Sequence, residues 1–241
     1  MEKYIYQKIG NSSKWKYDRN TKQEIDKEID EIHKNTIFRN DYSNQHTNEC
    51  FDRNKITNRR EEWVCKLSFN EHEYLNCELG KIINYQVSLK IPKKDIKNNI
   101  KAINTKEVNE GRGKIDLISK NDKTKTVYLI EVKVSKNSEN PCKAVLEIYT
   151  YYNLLGGKKR INEFLNKIDC NGYKCKTVVL FEKNKVTKKN TKKGKSYEDE
   201  FNDNTGNVKE MAKDLGVECY SYEEYDYIIK KINKVNNKNK L

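Results

Sequence analysis

The sequence predicts an α/β fold, a mixed central sheet flanked by helices, on three observations. Periodic segments across residues 68–181 run in the order helix, three strands, helix, strand. Residues 114–134 read as a hairpin with charged side chains inside it, and a well-bounded amphipathic helix follows directly. Strands are recognised by apolar alternation every second residue, helices by recurrence at i, i+3 and i+4. The hairpin is the centre of interest because it sets two carboxylates and one amine side by side.

At 241 residues the chain suits one principal domain, taken as 61–235, with a polar, partly helical extension (1–60) and a flexible tail (236–241). The hydrophobic share of 35% only equals the charged share, but 16 Tyr and 6 Phe give the core additional apolar area. Lys and Arg number 49 against 36 Asp and Glu, a net charge of +13 that attracts polyanions. Nucleic acid, DNA first, is the expected partner, although charge alone identifies no reaction. The seven cysteines form an odd set without a C-x-x-C pair, and the chain opens on charged residues. Both point to a reducing cytoplasm, in a bacterial or phage-like setting. Cys170 and Cys175 have neither a second pair nor a histidine pair to complete a zinc site. The longest apolar runs fall far short of the roughly 20 residues of a membrane span, so no membrane association is expected.

In the extension, Ile25, Ile29 and Ile32 mark one narrow helical stripe behind a Thr21 cap. It is suited to packing on the main domain, to contacts in a homodimer or to DNA. Residues 40–60 read as linker, and His33 and His46 as surface residues. Trp63, Cys65, Leu67 and Phe69 alternate as a short strand or the approach to a helix. Over 68–83, Leu75, Leu79, Ile82 and Ile83 form a helical stripe, with Ser68 and Glu71 as a capping box. On that helix Glu73 faces solvent, His72 is a packing or surface residue, and Glu78 lies along the core-facing edge. A carboxylate there is costly unless paired or facing a metal. Tyr85, Val87 and Leu89 then alternate as a strand that Pro92 ends. A polar loop over 93–110 leads to Gly111-Arg112-Gly113, a turn able to bring backbone or Arg112 close to a phosphate but lacking the lysine and spacing of a P-loop.

The hairpin consists of 114–119 and 127–134 around Asn121-Asp122-Lys123-Thr124. A turn centred between Lys123 and Thr124 puts Asp116 directly opposite Glu131, and the strand period of two puts Leu129, Glu131 and Lys133 on one face. Two opposed carboxylates repel unless a cation sits between them, and a hard divalent ion with oxygen ligands removes that repulsion. The expected cofactor is Mg²⁺ or Mn²⁺. Lys133 beside it can hold the attacking water and balance charge on a phosphodiester being hydrolysed. An isolated E-x-K triplet is more often a surface ion pair.

Gly113-Lys114-Ile115-Asp116 followed by Glu131-Val132-Lys133, with an acid-bearing helix before and an amphipathic helix after, resembles the PD-(D/E)XK nuclease superfamily. The likeness covers roughly residues 68–181, with Ile115 where the motif's name has proline. It implies a three-layer restriction-endonuclease-like fold and a divalent-metal-dependent nuclease. Asp116 and Glu131 would be the metal carboxylates, Lys133 the catalytic lysine and Glu78 the acid of the first helix. A nucleic-acid-binding module that does not catalyse is the alternative on the same fold.

Downstream, Asn140 caps and Pro141 opens a helix whose stripe is Ala144, Val145, Ile148, Tyr151, Tyr152 and Leu155, stopped at Gly156-Gly157. Glu147 and Tyr151 face the hairpin, where several exonuclease-like branches of the superfamily carry Gln-x-x-x-Tyr. With Lys143 and Arg112 they are the candidate nucleic-acid contacts. A helix over 161–168, a buried strand over 177–181, a lysine-rich run over 183–195, a helix over 208–215, a strand over 217–221 and a helix over 222–232 complete the expected order.

Overall fold

The computed structural model describes residues 4–9, 15–35, 39, 42, 60–71, 74–91, 109, 112–134, 140–183 and 197–235. The expectations for His46, His72, Glu73, most of the 40–60 linker and 93–110 loop, the lysine run from 184 on and the tail lie outside these residues. Among the described residues, seven strands form one mixed sheet in sequence order: β1 (Tyr74–Asn76), β2 (Gly80–Ser88), β3 (Lys114–Asn121), β4 (Thr126–Lys133), β5 (Lys174–Glu182), β6 (Val217–Tyr225) and β7 (Ile228–Lys234). The first four make an antiparallel meander, β4, β5 and β6 run parallel, and β7 returns antiparallel.

The parallel pairs need crossovers, and helices provide them. Between β4 and β5 lie α4 (Pro141–Leu154) and α5 (Gly157–Lys167). Between β5 and β6 lie α6 (Tyr197–Asn202), a 3-10 turn and α7 (Val208–Leu215). Both crossovers pack on one face, where Val145, Ile148, Phe164 and Met211 meet Val127, Leu129, Val179 and Phe181. The opposite face is covered by α3 (Arg60–Glu71), whose Val64 and Cys65 meet Leu117, Ile130, Val132, Leu180 and Tyr222. The middle strand β4 is therefore covered on both sides and buried along its whole length. The sheet curls around α3 until its edge strands β1 and β7 touch, with Glu78 and Lys234 as an ion pair 3.4 Å apart.

In the N-terminal segment α1 (Ile5–Ile9) and α2 (Arg19–Asn35) pack on α4. Ile25, Ile29 and Ile32 are buried there as the stripe anticipates, with Tyr6 and Tyr17 in the same core. The cap of α2 is Asp18, whose carboxylate accepts from the Thr21 amide at 2.8 Å and the Thr21 hydroxyl at 2.9 Å. Asn140 caps α4 as anticipated, accepting from the Cys142 amide at 2.9 Å. No helix of the described residues is long and apolar enough to cross a membrane.

Two expected helices are strands. The pattern over 68–83 divides into the end of α3, β1, a turn and the start of β2. Asn76 takes the amides of Glu78 and Leu79 on its side-chain oxygen at 3.0 and 2.6 Å, and Gly80 has φ +74°. A side chain at Gly80 would also run into the backbone of Lys120. Turn chemistry therefore overrides an apolar spacing that happens to suit a helix. Ser68 is not a cap: it lies inside α3 and its hydroxyl accepts from the Ile229 amide at 3.0 Å. The expected helix over 222–232 is the β6–β7 hairpin, turned by Asp226 and Tyr227, both at positive φ, as a two-residue hairpin turn requires.

Candidate active site

The hairpin register is the anticipated one, with Leu117 paired to Ile130, Ile118 to Leu129 and Asn121 to Thr126. Carried one step further, it sets Asp116 against Glu131, just beyond the last paired residues. There Asp116 turns a side-chain oxygen to the Val132 amide, accepting its hydrogen bond at 2.9 Å. The other oxygen accepts from Gln86 Nε2 at 2.7 Å. Gln86 lies between the pairs Tyr85–Leu117 and Val87–Ile115 and has φ +48° inside a strand. Such a backbone costs on the order of 1–3 kcal/mol in a residue with a side chain. Here it accompanies a side chain aimed at Asp116.

Lys133 extends to the same place from the end of β4. Its Nζ lies 2.7 Å from Glu131 Oε1 and 3.2 Å from Glu147 Oε2. Glu147, from α4, accepts from the Tyr151 hydroxyl at 2.8 Å on its other oxygen. Tyr151 stands edge-on to Tyr6 of α1 and fills the space a side chain would need at Gly113. These groups line a cleft of about 340 Å³, together with Glu61, Glu62, Gln86, Lys114 and Lys143.

Glu131, Glu147, Glu61 and Asp116 all bear on Lys133. Burial, with Lys133 opposing it, pushes the Asp116 carboxyl up to about 7. Burial raises Glu131 strongly as well, and the charges of Asp116 and Glu147 add to that. Glu147 goes the other way: burial works against its charge, but Lys133 and the Tyr151 hydroxyl overcome it and hold the carboxyl below its ordinary value. Lys133 is raised, because Glu131 and Glu147 outweigh its own desolvation. Beneath them Cys65 of α3 is fully buried, and burial followed by the Asp116 charge keeps its thiol protonated.

Among the described residues no three His, Cys, Asp or Glu side chains are arranged to hold a metal ion alone. Asp116 and Glu131 are the residues that could hold Mg²⁺ or Mn²⁺, because Mg²⁺ commonly takes one or two carboxylates and fills its octahedron with water and substrate oxygens. Glu131 Oε2 is buried with no hydrogen-bond partner among the described residues.

Asp116, Glu131, Lys133, Lys143, Glu147 and Tyr151 thus converge, while two other candidates lie elsewhere. Glu78 sits in the β1–β2 turn, half-exposed and paired with Lys234. Six residues of strand, roughly 20 Å at about 3.3 Å each, separate its end of β2 from Gln86. The acids of α3 that reach the cleft are Glu61 and Glu62 in its first turn, and it is the Glu61 charge that bears on Asp116 and Lys133. Arg112 is buried against Tyr4 and Tyr42, its Nε without a partner among the described residues, and it does not line the cleft. Sequence reasoning missed Glu61 and Gln86. Gly80, out of place inside a helical pattern, was the signal that would have moved the helix back to Glu61. Gln86, a polar residue between Tyr85 and Val87, carried no comparable mark.

No protein-family profile, curated protein or solved structure matches the chain, so the functional argument rests on the chemistry of this cleft.

Proposed function

We propose that the protein is a divalent-cation-dependent nuclease of the PD-(D/E)XK kind, hydrolysing phosphodiester bonds, with DNA as the expected substrate. The observation that carries the reading is the buried pair Asp116 and Glu131 at an open cleft, with Lys133 two residues further on and one Glu131 oxygen without a partner among the described residues. The β2–β3–β4 meander, crossing through helices to parallel β5, agrees with the restriction-endonuclease-like core that the sequence resembles. Glu61 takes the place in that scheme first given to Glu78.

Asp116 and Glu131 would hold the cation, which when bound supplies Lewis-acid activation of the phosphate and of a water. Lys133 brings a fixed positive charge to the place where negative charge develops, in a site too buried for bulk water to screen it. Lys114 and Lys143 on the cleft wall are placed to neutralise flanking phosphates, which makes affinity fall as salt rises. Gln86 and the Val132 amide fix the orientation of Asp116.

One observation favours the alternative of a binding module without catalysis: Lys133 already neutralises Glu131 at 2.7 Å. Incubation of the protein with plasmid and linear DNA in Mg²⁺, Mn²⁺ or EDTA separates the two. Nicking that requires the cation and disappears in Asp116→Asn supports the nuclease. Retarded but intact DNA under every cation supports the module.

A further inference from the structure

The cleft contains one more anchored acid than a two-carboxylate cation site uses. Glu147 is held at both oxygens, by Lys133 at 3.2 Å and by the Tyr151 hydroxyl at 2.8 Å, and Tyr151 is itself braced by Tyr6. Lys133 has a side chain only 6% exposed, so its ammonium needs a carboxylate partner at all times. Glu131 Oε1 is the nearer partner, yet Glu131 is also one of the two acids expected to hold a cation. A single oxygen close to an ammonium is a poor ligand for a second positive charge.

Building on the cation-dependent reading above, we infer that Glu147 is a positioning residue for Lys133. It is the second perch that keeps the ammonium inside the cleft when Glu131 turns to a divalent ion. The Glu147–Tyr151 pair thereby sets the affinity of the cleft for the ion while acting through Lys133. Two features support this. Both Lys133 distances are already within ion-pair range, so the transfer needs only a small swing of a flexible side chain. The hydroxyl of Tyr151 leaves Glu147 little freedom to follow Lys133 and so fixes where the ammonium ends.

The test is calorimetric titration of Mn²⁺ into the full chain without nucleic acid, for the wild type, Glu147→Gln, Lys133→Met and the double variant. Glu147→Gln should weaken binding about tenfold or more, the usual effect of removing a group that orients a metal ligand. Lys133→Met should tighten binding, and in that background Glu147→Gln should change it by no more than about twofold, because the residue through which Glu147 acts is gone. Glu147→Asp should recover part of the loss. Equal weakening in both backgrounds would mean that Glu147 acts on the ion directly, and an unchanged affinity in Glu147→Gln would mean that it has no role; either overturns the inference. Should Glu147→Gln not fold, Tyr151→Phe loosens the same perch, and an unchanged affinity there overturns the inference too. A wild type that binds no Mn²⁺ at millimolar concentration defeats the nuclease reading itself, whereas binding indifferent to residue 147 defeats only the positioning role.

Discussion

Two buried charge clusters flank the start of α3, and they are built on opposite terms. In one, the Arg60 guanidinium forks onto Glu182 at 2.7 and 2.9 Å and also reaches Glu224, so two acids from the ends of β5 and β6 are tied by a single planar cation. Glu224 is further bonded by the Tyr227 amide at 3.1 Å. In the other, one residue along the helix, Glu61 faces Asp116, Glu131 and Glu147 across a cleft in which Lys133 is the cation paired to Glu131 and Glu147, with Lys114 and Lys143 also lining it. The first cluster saturates its acids through a geometry suited to bidentate pairing. The second leaves Glu131 Oε2 without a partner among the described residues, and burial raises Asp116 and Glu131. The same fold thus saturates buried acids with arginine beside the cleft and lines the cleft itself with more acids than lysines, the contrast on which the proposed cation site rests.

Breaking the cleft side of this comparison should have the largest effect. Asp116→Asn and Lys133→Ala should each lower cation-dependent DNA cleavage by at least about 10³-fold, measured by plasmid nicking, with circular dichroism unchanged. Asn is tolerated at 116 because Gln86 can rotate its amide to accept where it now donates. Breaking the saturated side should instead cost stability. Arg60→Met leaves Glu182 and Glu224 buried without their cation and should lower unfolding free energy by about 3–5 kcal/mol in urea denaturation. A loss below about 1 kcal/mol would show that the clamp is not the structural partner of the contrast.

The acidic surplus also has a pH signature. The Asp116 carboxyl lies well above its ordinary value in the folded chain, so its contribution is fully present below about pH 4 and is lost as pH rises through about 7, by up to about 4 kcal/mol. The cation-free protein should therefore lose thermal stability across that window, Asp116→Asn should lose less, and Mg²⁺ should restore the wild type at the alkaline end. A wild-type melting temperature indifferent to Mg²⁺ at pH 8 would contradict the fit of the cation. The smallest effect belongs to a partly buried control outside the cleft. Burial works against the charge of Glu218, but hydrogen bonds from Lys176 at 2.6 Å, Lys234 at 3.0 Å and Tyr220 at 2.8 Å hold its carboxyl down at about 2. Its contribution is present above the ordinary carboxylate range and is lost as pH falls toward about 2. Because the group is half in solvent, Glu218→Gln should remove less than about 1 kcal/mol of that acid sensitivity.

The parts of the fold visible in the sequence were those where local chemistry and tertiary packing agree. The hairpin carries a turn signal at Asn121 and alternation on both sides, so its register and the opposition of Asp116 and Glu131 could be read directly. The helix capped by Asn140 has its cap, its proline and its stripe in the right places. Failure came where apolar spacing suited two periods at once. Leu75, Leu79, Ile82 and Ile83 fall at helical intervals, yet Leu75, Leu79 and Ile82 are buried from a strand, a turn and a second strand on one side of the sheet. That error put the helical acid at Glu78 rather than Glu61. The β6–β7 turn was hidden for another reason: Asp226 and Tyr227 adopt a conformation usually signalled by Asn-Gly, and tyrosine gives no such sign. Gln86 was beyond reach because its importance rests on a backbone angle that no side-chain pattern records.

The contact between Tyr6 and Tyr151 braces the cleft from behind, because α1 bears on Tyr151 and, through it, on Glu147. A change that disturbs α1, such as Tyr6→Ala, would therefore reach Lys133 from outside the cleft, and a shift in cation affinity in that variant would report how firmly the brace is seated.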